Sequence, residues 1–312
     1  MANLQNYPRG QNKPQLQKVK FSTALSTPAY QNLIRNTLGD PDTAKRFIAA
    51  ISSAVATTPA LQECDNGSIV SGALLGESLK LSHSPQIGHY YLVPFKNKRE
   101  GTSKAQFILG YKGYLQLAIR SGYYKHLNVL EIKEGELNSF DPLSEDISVT
   151  LIDDFDRRES TPTIGYFAFF EYTNGFRKAI YWSKEKMLSH ASKYSKAFSR
   201  KAYEDIQAGK VSDRDMAKYS SFWYKDFDAM AKKTMLRQLI SKWGIMSIEL
   251  QNAFTHDYAT GEVSAKGDII FEEATDEHVS DAEYINEVVS HPEAEEVVDI
   301  PFEEDGDLFE DD

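Results

Sequence analysis

The sequence predicts an α+β fold: a small antiparallel sheet packed with helices, then a basic helical second half and a disordered acidic C-terminal tail. Short apolar runs bounded by turn residues recur between residues 89 and 182 and are typical of strands. From Ser183 onward the apolar residues recur at helical spacing. Near residue 257 the charge balance changes sign.

The net charge of −11 combines two regions of opposite sign. Residues 257–312 contain 21 acidic residues and one basic residue, whereas residues 1–256 contain 34 basic and 25 acidic ones. The stretch 177–242 alone has 16 basic and 7 acidic residues. We therefore predict a polyanion-binding core over residues 29–256, between a flexible polar arm, residues 1–28, and an acidic disordered tail, residues 257–312.

Composition and motifs exclude several classes of protein. The one cysteine, Cys64, rules out a disulfide framework and suits a reducing compartment, and no apolar run approaches the length of a membrane span. GxxxxGK[ST], HExxH and GxSxG are all absent, so the sequence does not support an ATPase, a zinc hydrolase or a serine hydrolase of those types. An intracellular protein with no membrane partner is expected.

Helices are predicted in the first 81 residues. A helical pattern runs from Tyr30 to Gly39 and resumes after a start signal at Asp40-Pro41. A third helix follows the turn 65–68 and contains Ser71, Gly72, Ala73 and Gly76. Such small residues allow close packing against a neighbouring helix or another protomer, and packing within the chain is the favoured interpretation.

Two hairpins are predicted next. Strands at 89–95 and 104–109 form the first, and its tip fits either a basic finger along a DNA backbone or a solvated loop. Further strands are predicted at 127–132 and 149–152. Asn174-Gly175 joins strands 163–172 and 176–182 in the second hairpin.

A four-residue turn, Gly110-Tyr111-Lys112-Gly113, connects the first hairpin to a short helix that ends near Arg120. Such a turn can present backbone N–H groups, a cation and an aromatic face to a phosphodiester and its base. The alternative is an ordinary strand-to-helix corner whose lysine is only solvated.

Two basic helices are predicted after Ser183, the expected N-cap. In the first, apolar positions through Tyr194 and Phe198 oppose a face of lysines. In the second, Lys218, Lys225 and Lys232 recur every seven residues, about 10.5 Å along one helix. Beyond Lys233 the apolar stripe moves round the helix, which predicts a kink or a helix that serves two cores.

Three blocks resemble the RecT/Redβ family of phage single-strand annealing proteins. They are the turn at 110–113 with its leucine-rich helix, the small-residue helix 68–81, and the strand His89–Phe95. The resemblance implies a protein that anneals single-stranded DNA without ATP, oligomerises into rings or helical filaments and has no hydrolytic active site. It also implies single-stranded DNA and the annealing duplex as partners and the cytoplasm of a bacterial host. No cofactor is expected, and magnesium only as a DNA counterion.

We assign DNA contacts to clustered cations and to two tyrosines that could stack on bases. These candidates are Lys96, Lys98, Arg99, Lys104, Tyr111, Lys112, Arg120, Lys186, Lys193, Lys196, Arg200, Lys218, Tyr224, Lys225, Lys232, Lys233 and Arg237.

A partner-binding segment is predicted in the tail. Asp299-Ile300-Pro301-Phe302 resembles the tip of bacterial single-stranded DNA-binding proteins, although here it is internal. The family's C-terminal region is tied to replication or exonuclease partners, so an exonuclease and the host single-stranded DNA-binding protein are candidate partners. The alternative is a tail that only supplies solubility.

A second function from a different class is kept open. Glu131 and Lys133 form a Glu-x-Lys pattern that recurs in metal-dependent nucleases, which predicts a nuclease or nuclease subunit as the alternative. Such a site also needs an upstream acid, and Asp42 and Asp65 lie in helix-start turns. A third hypothesis is that the protein only coats DNA and does not anneal it.

Overall fold

The computed structural model describes residues 19–84, 86–97, 102–195, 197–216, 218–219, 221–264 and 267–273. The helices are α1 (Phe21–Leu25), α2 (Pro28–Leu38), α3 (Pro41–Thr57), α4 (Pro59–Gln62), α5 (Asn66–Ser78), α6 (Tyr111–Arg120), α7 (Phe155–Ser160), α8 (Lys184–Tyr194), α9 (Arg200–Gln207), α10 (Asp213–Met216), α11 (Phe222–Lys225), α12 (Phe227–Trp243) and α13 (Ile248–His256). The strands are β1 (Tyr90–Asn97), β2 (Thr102–Leu109), β3 (Tyr124–Lys133), β4 (Leu137–Phe140), β5 (Ile147–Val149), β6 (Thr163–Tyr172), β7 (Arg177–Ser183), β8 (Ala259–Val263) and β9 (Ile269–Glu273).

The first sheet has the antiparallel order β1-β2-β8-β9. Its β1–β2 hairpin confirms the first predicted hairpin. Helix α5 packs against β1, β2 and β8. A Cβ on Gly72 would lie 2.7 Å from Leu92 Cδ2, and one on Gly76 would lie 2.3 Å from the Tyr90 ring. The small residues of α5 therefore serve close packing within the chain.

The second sheet has the antiparallel order β3-β6-β7, and β4 pairs with β5 separately. The Asn-Gly hairpin is confirmed: Gly175 joins β6 to β7 with a φ of 87°, where a side chain would be strained. Helix α12 packs on β3, β6 and β7 and also contacts α6. This helix thus connects the second sheet to the corner that follows the first, and the α+β class is confirmed.

The predicted start of the disordered tail at residue 257 is wrong for residues 257–263 and 267–273. Here β8 and β9 form a hairpin that extends the first sheet, with Gln106 opposite Thr260. Asp257, Ala259 and Thr260 are buried. The acidic composition gave no sign of this strand pair because the two short strands depend on pairing with the edge of a neighbouring sheet and not on their own sequence. Residues 274–312, including Asp299, Ile300, Pro301 and Phe302, lie outside the described part of the chain.

The boundary of the predicted N-terminal arm at residue 28 also needs correction. Residues 21–25 form α1, and Phe21, Ala24 and Leu25 are buried. Three apolar residues at spacings of three and four suffice for one helical turn when α2 and α3 cover them. Residues 1–18 lie outside the described part.

The two long basic helices are divided into shorter ones. The first ends at Tyr194, which is 63% exposed instead of lying in the core. The second is interrupted because Ser221 caps α11 and Asp226 caps α12, with Asp226 Oδ1 accepting from Ala229 N at 2.9 Å. Lys218, Lys225 and Lys232 therefore do not form the predicted ladder. Helix α12 continues past Lys233 to Trp243. It contacts strands β3, β6 and β7 and also helix α6, as predicted for a helix that serves two cores.

Among the residues that the structure describes, no helix combines the length and the apolar character needed to cross a membrane.

Candidate nucleic-acid interface

The segment Gly110–Gly113 is the first turn of α6, with Gly110 as its N-cap, and not a separate loop before the helix. Gly110 N donates to His89 O at 2.8 Å. A Cβ on Gly110 would lie 2.1 Å from Gly88 O, and one on Gly113 would lie 2.0 Å from His89 O. Both glycines are required because the helix begins in contact with the backbone that enters β1.

This close packing places Lys112 on the outside of the helix. Lys112 is exposed and forms no ion pair within the described ranges. Burial lowers the pKa of the nearby His89, and the positive charges of Arg120 and Lys112 lower it further. His89 Nδ1 accepts from Ser82 N at 3.1 Å, so this ring nitrogen carries no proton in the structure. Two cations, Lys112 and Arg120, therefore lie near His89 at this corner.

Helix α12 brings further cations beside this corner. Lys232 Nζ lies 3.1 Å from Glu131 Oε2 on β3. Burial raises the pKa of the half-buried Tyr111 phenol, while Lys232 lowers it and Glu131 raises it. Tyr111, Lys232 and Glu131 are thus close enough to interact, and the charge of Lys232 is largely neutralised by the carboxylate.

Lys233 and Tyr258 form the other part of the candidate interface. Lys233 Nζ lies 5.5 Å from the centre of the Tyr258 ring, and Arg237 Cζ lies 5.4 Å from it. Burial raises the pKa of Tyr91, and the charge of the nearby Lys233 lowers it. Lys233 forms no ion pair with any residue that the structure describes. We call the set Tyr91, Tyr111, Lys112, Lys233 and Tyr258 the α6–α12 surface.

The buried Asp257 holds the elements of this surface together. It accepts hydrogen bonds from Leu109 N at 2.9 Å and from the Tyr114 hydroxyl, and it pairs with Arg237 at 3.2 Å. One carboxylate thus connects the end of β2 with α6 and α12. The predicted DNA contact Arg237 is consequently paired with a buried carboxylate, although its own side chain is 36% exposed.

The α6–α12 surface has the chemistry of a single-strand binding site. Exposed ammonium groups attract phosphates and release their counterions. Tyrosine rings offer faces on which bases can stack, and a cation beside a ring strengthens such a contact. Tyr91 and Tyr111 are partly buried, so these two rings would lose less side-chain entropy on binding than fully exposed rings.

Several other predicted DNA contacts have partners within the protein. Lys104 pairs with Glu262 of β8, and Arg120 donates to Leu79 O at 2.6 Å at the end of α5. Arg200 pairs with Glu185 and Glu204, each at 2.7 Å, and Lys218 pairs with Asp215 at 2.7 Å. Tyr224 accepts from Ser199 N at 2.7 Å and packs on Phe198. Their roles in DNA binding stay predictions.

The remaining predicted contacts do not gather at the α6–α12 surface. Lys96 lies exposed near the end of β1, and Lys225 lies exposed at the end of α11. Lys186 and Lys193 lie on α8, where they contact the rings of Trp182 and Tyr194 respectively. Lys98, Arg99 and Lys196 fall outside the described residues.

The Glu-x-Lys pair of the nuclease alternative lies on β3. Glu131 faces Lys232 and is 3.9 Å from Arg158 Nη1. Lys133 is buried and donates to Thr163 Oγ1 at 3.2 Å, and Thr163 in turn donates to Asp228 Oδ2 at 2.8 Å. The described part of the chain contains no group of three His, Cys, Asp or Glu side chains placed to hold a metal ion.

Sequence reasoning missed Tyr91, Asp257 and Tyr258 as parts of the interface. Tyr91 lies on the opposite face of β1 from the buried Tyr90 and Leu92, so strand alternation could have identified it as an outward residue. Asp257 and Tyr258 stand at the start of an acidic region and gave no such signal. Only the pairing of β8 with β2 brings them to the site.

Comparisons with known proteins found one matching family model and similar proteins from two bacteria. Residues 45–271 match the model of the RecT family. The chain is 38% identical over 249 residues to the uncharacterized protein YqaK of Bacillus subtilis, covering 80% of this chain and 75% of that protein. It is 28% identical over 235 residues to protein RecT of Escherichia coli, covering 75% of this chain and 78% of that protein.

Proposed function

Because the chain belongs to the RecT family, we propose that it binds single-stranded DNA as an oligomer and anneals complementary strands without ATP. The observation that carries the proposal is the α6–α12 surface, where Lys112 is exposed and the partly buried Lys233 lies beside the Tyr258 ring. We further propose that it acts in phage-type recombination, in the cytoplasm of a bacterial host. No cofactor is proposed, and magnesium would act only as a counterion of the DNA.

The proposed mechanism is positional. Lysines that neutralise phosphates reduce the repulsion between two strands, which otherwise opposes pairing. Contacts to the backbone carry no base preference, so the base edges stay free for a complementary strand. Oligomerisation would extend one strand over many protomers and raise the local concentration of pairing sites. An exonuclease and a host single-stranded DNA-binding protein remain proposed partners of residues 299–302.

The direct test mixes two complementary labelled oligonucleotides with the protein, without ATP and with or without magnesium. We expect faster duplex formation and strands of unchanged length in both conditions. Strands shortened in magnesium would overturn the proposal in favour of a nuclease. Tight binding without faster annealing would leave only a coating protein.

Replacing Glu131 separates the annealing and nuclease functions because they predict opposite results. Glu131→Gln removes the carboxylate that pairs with Lys232, so this lysine becomes available to phosphates. We expect binding to single-stranded DNA to tighten about threefold at low salt, as suits the loss of one partly exposed ion pair. A nuclease would instead lose its cleavage. Glu134→Gln is the matched control, since Glu134 is exposed on the same segment.

A further inference from the structure

A second cluster of cations and aromatic rings lies away from the α6–α12 surface. It consists of Trp182 on β7, Lys186, His190, Lys193 and Tyr194 on α8, and Lys242 on α12. We call it the β7–α8 surface. Lys186 and Lys193 were predicted DNA contacts, whereas the rings and Lys242 were not.

The rings of this cluster are in contact with one another. The centroid of His190 lies 5.1 Å from that of Trp182 and 4.6 Å from that of Tyr194. Tyr194 is 63% exposed, so one side of this aromatic row is open to solvent. The row ends there because α8 stops at Tyr194, with Ser195 as its extended C-cap.

Lysines flank both ends of the row. Lys186 Nζ lies 4.6 Å from the centre of the Trp182 ring, and Lys193 Nζ lies 5.2 Å from that of Tyr194. Lys186, Lys193 and Lys242 form no ion pair among the residues that the structure describes. Burial lowers the pKa of His190, and the positive charges of Lys242, Lys186 and Lys193 lower it further, so all three lysines are near this residue.

The two surfaces face opposite sides of α12. Lys233 contacts Tyr258, whereas Lys242 is near His190. Nine residues separate these lysines, which is about two and a half helical turns, so their side chains project in opposite directions. A strand that follows one surface is not thereby brought to the other.

We propose that the β7–α8 surface is a second, separate contact for single-stranded nucleic acid, with Tyr194 as the stacking residue and Lys186, Lys193 and Lys242 as phosphate contacts. Unpaired cations beside an exposed ring are what a flexible polyanion with π faces requires. The inference rests on the proposed function and adds to it: one protomer could hold two strands, or two segments of one strand.

Photo-crosslinking of an oligonucleotide that contains 5-iododeoxyuridine, followed by mass spectrometry of the peptides, tests this assignment. We expect adducts at Trp182 or Tyr194 as well as at Tyr111 or Tyr258. In the variant Lys112→Ala/Lys233→Ala the adducts at Trp182 or Tyr194 should persist. Adducts confined to Tyr111 and Tyr258 would overturn the second contact and leave the proposed function intact. If the wild-type protein formed no adducts at either surface, both proposals would be overturned.

A binding measurement complements the crosslinks. Tyr194→Ala should weaken oligonucleotide binding about fivefold or more, as expected for one lost stacking contact, while Tyr194→Phe should bind like the wild type. Because the Tyr194 side chain is exposed, its loss should not disturb the fold, so weaker binding would not come from unfolding. Thermal unfolding of the variants checks this point. Equal affinities for both variants would contradict the proposal. If an acidic peptide shields Tyr194 from chemical modification and the oligonucleotide does not, the surface would belong to a protein partner instead.

Discussion

Tyr258 combines an uncommon backbone with an exposed ring in the candidate interface. Its φ of 71° lies in the left-handed region, which costs a residue with a side chain about 1–2 kcal/mol. Tyr258 N donates to Phe107 O at 2.8 Å, so the end of β2 holds this conformation in place. Strain that is retained beside two cations is consistent with a role for the ring itself.

We expect Tyr258→Gly to separate stability from binding. Glycine adopts the positive φ without strain, so the melting temperature should change little although side-chain contacts are lost. Binding to single-stranded DNA should weaken about fivefold or more because a stacking face is removed. Tyr258→Phe keeps the ring and should bind like the wild type. Unchanged binding by the glycine variant would remove Tyr258 from the interface.

Among the elements, β3 and α7 are joined by a buried carboxylate. Glu136 accepts from Lys133 N at 2.8 Å, from Ile152 N at 3.1 Å and from Arg158 Nε at 2.7 Å. Burial would raise its pKa, but the hydrogen bonds from Arg158, Lys133 N and Ile152 N hold the pKa below the ordinary value. The ionised form is therefore favoured in the folded protein.

This network predicts an acid-sensitive contribution to stability. A carboxyl group whose pKa is lowered by folding stabilises the fold at pH values above its pKa in the unfolded chain, about 4.3. This stabilisation is lost as the pH falls through the lower pKa of the folded protein. Glu136→Gln should lower the free energy of unfolding by about 3 kcal/mol at neutral pH, as when a buried pair is broken. Its stability should then depend less on pH below 5 than that of the wild type. Parallel pH profiles in denaturant titrations would contradict the assignment.

The sequence predicted elements whose signals are local. The Asn-Gly hairpin, the cap at Ser183 and the small-residue helix α5 depend on a few adjacent residues and are confirmed. The three-part division of residues 213–243 was missed because Ser221 and Asp226 cap helices within an otherwise helical pattern. The β8–β9 hairpin was missed because the pairing of Gln106 with Thr260 is set by the fold and not by adjacent residues.

The same distinction holds for the candidate interface. Lys112 was found from a local turn, but the turn itself belongs to α6. Nothing in the sequence indicated which cations already have carboxylate partners, so Lys104 and Arg200 were grouped with Lys233, which has no carboxylate partner among the described residues. Ion pairing depends on contacts between distant elements, and a single sequence does not provide these.

For the whole molecule, the structure determines where a truncation can be made. Ending the chain at residue 256 removes Asp257 together with β8 and β9, which leaves Arg237, Tyr114 and Leu109 N without their buried partner. We expect this variant to be destabilised by about 3–5 kcal/mol or more. Ending the chain at residue 273 keeps these contacts and should preserve the melting temperature. Equal melting temperatures for the two truncations would contradict the role of Asp257.

The truncation at residue 273 also tests the acidic segment. Residues 274–312 carry 16 acidic residues and no basic one, whereas residues 1–273 have a net charge of +5. An acidic segment on the same chain competes with phosphates for the lysines at a high effective concentration. Removing it should tighten binding to single-stranded DNA, most clearly at about 0.01 M salt, where the Debye length is about 30 Å. Equal affinities across a salt series would support a segment that only supplies solubility.

The salt dependence of single-stranded DNA binding tests the α6–α12 surface most directly. Each phosphate contact to a single strand contributes about 0.7 to the slope of log K against log salt concentration. We expect Lys112→Ala/Lys233→Ala to lower the magnitude of the slope by about 1.4 and to slow annealing, because two phosphate contacts are lost. Lys20→Ala/Lys45→Ala, which removes the same charge from exposed positions near the N-terminus, should leave the slope unchanged. Equal slopes and annealing rates for the two double variants would contradict the assignment of DNA binding to this surface.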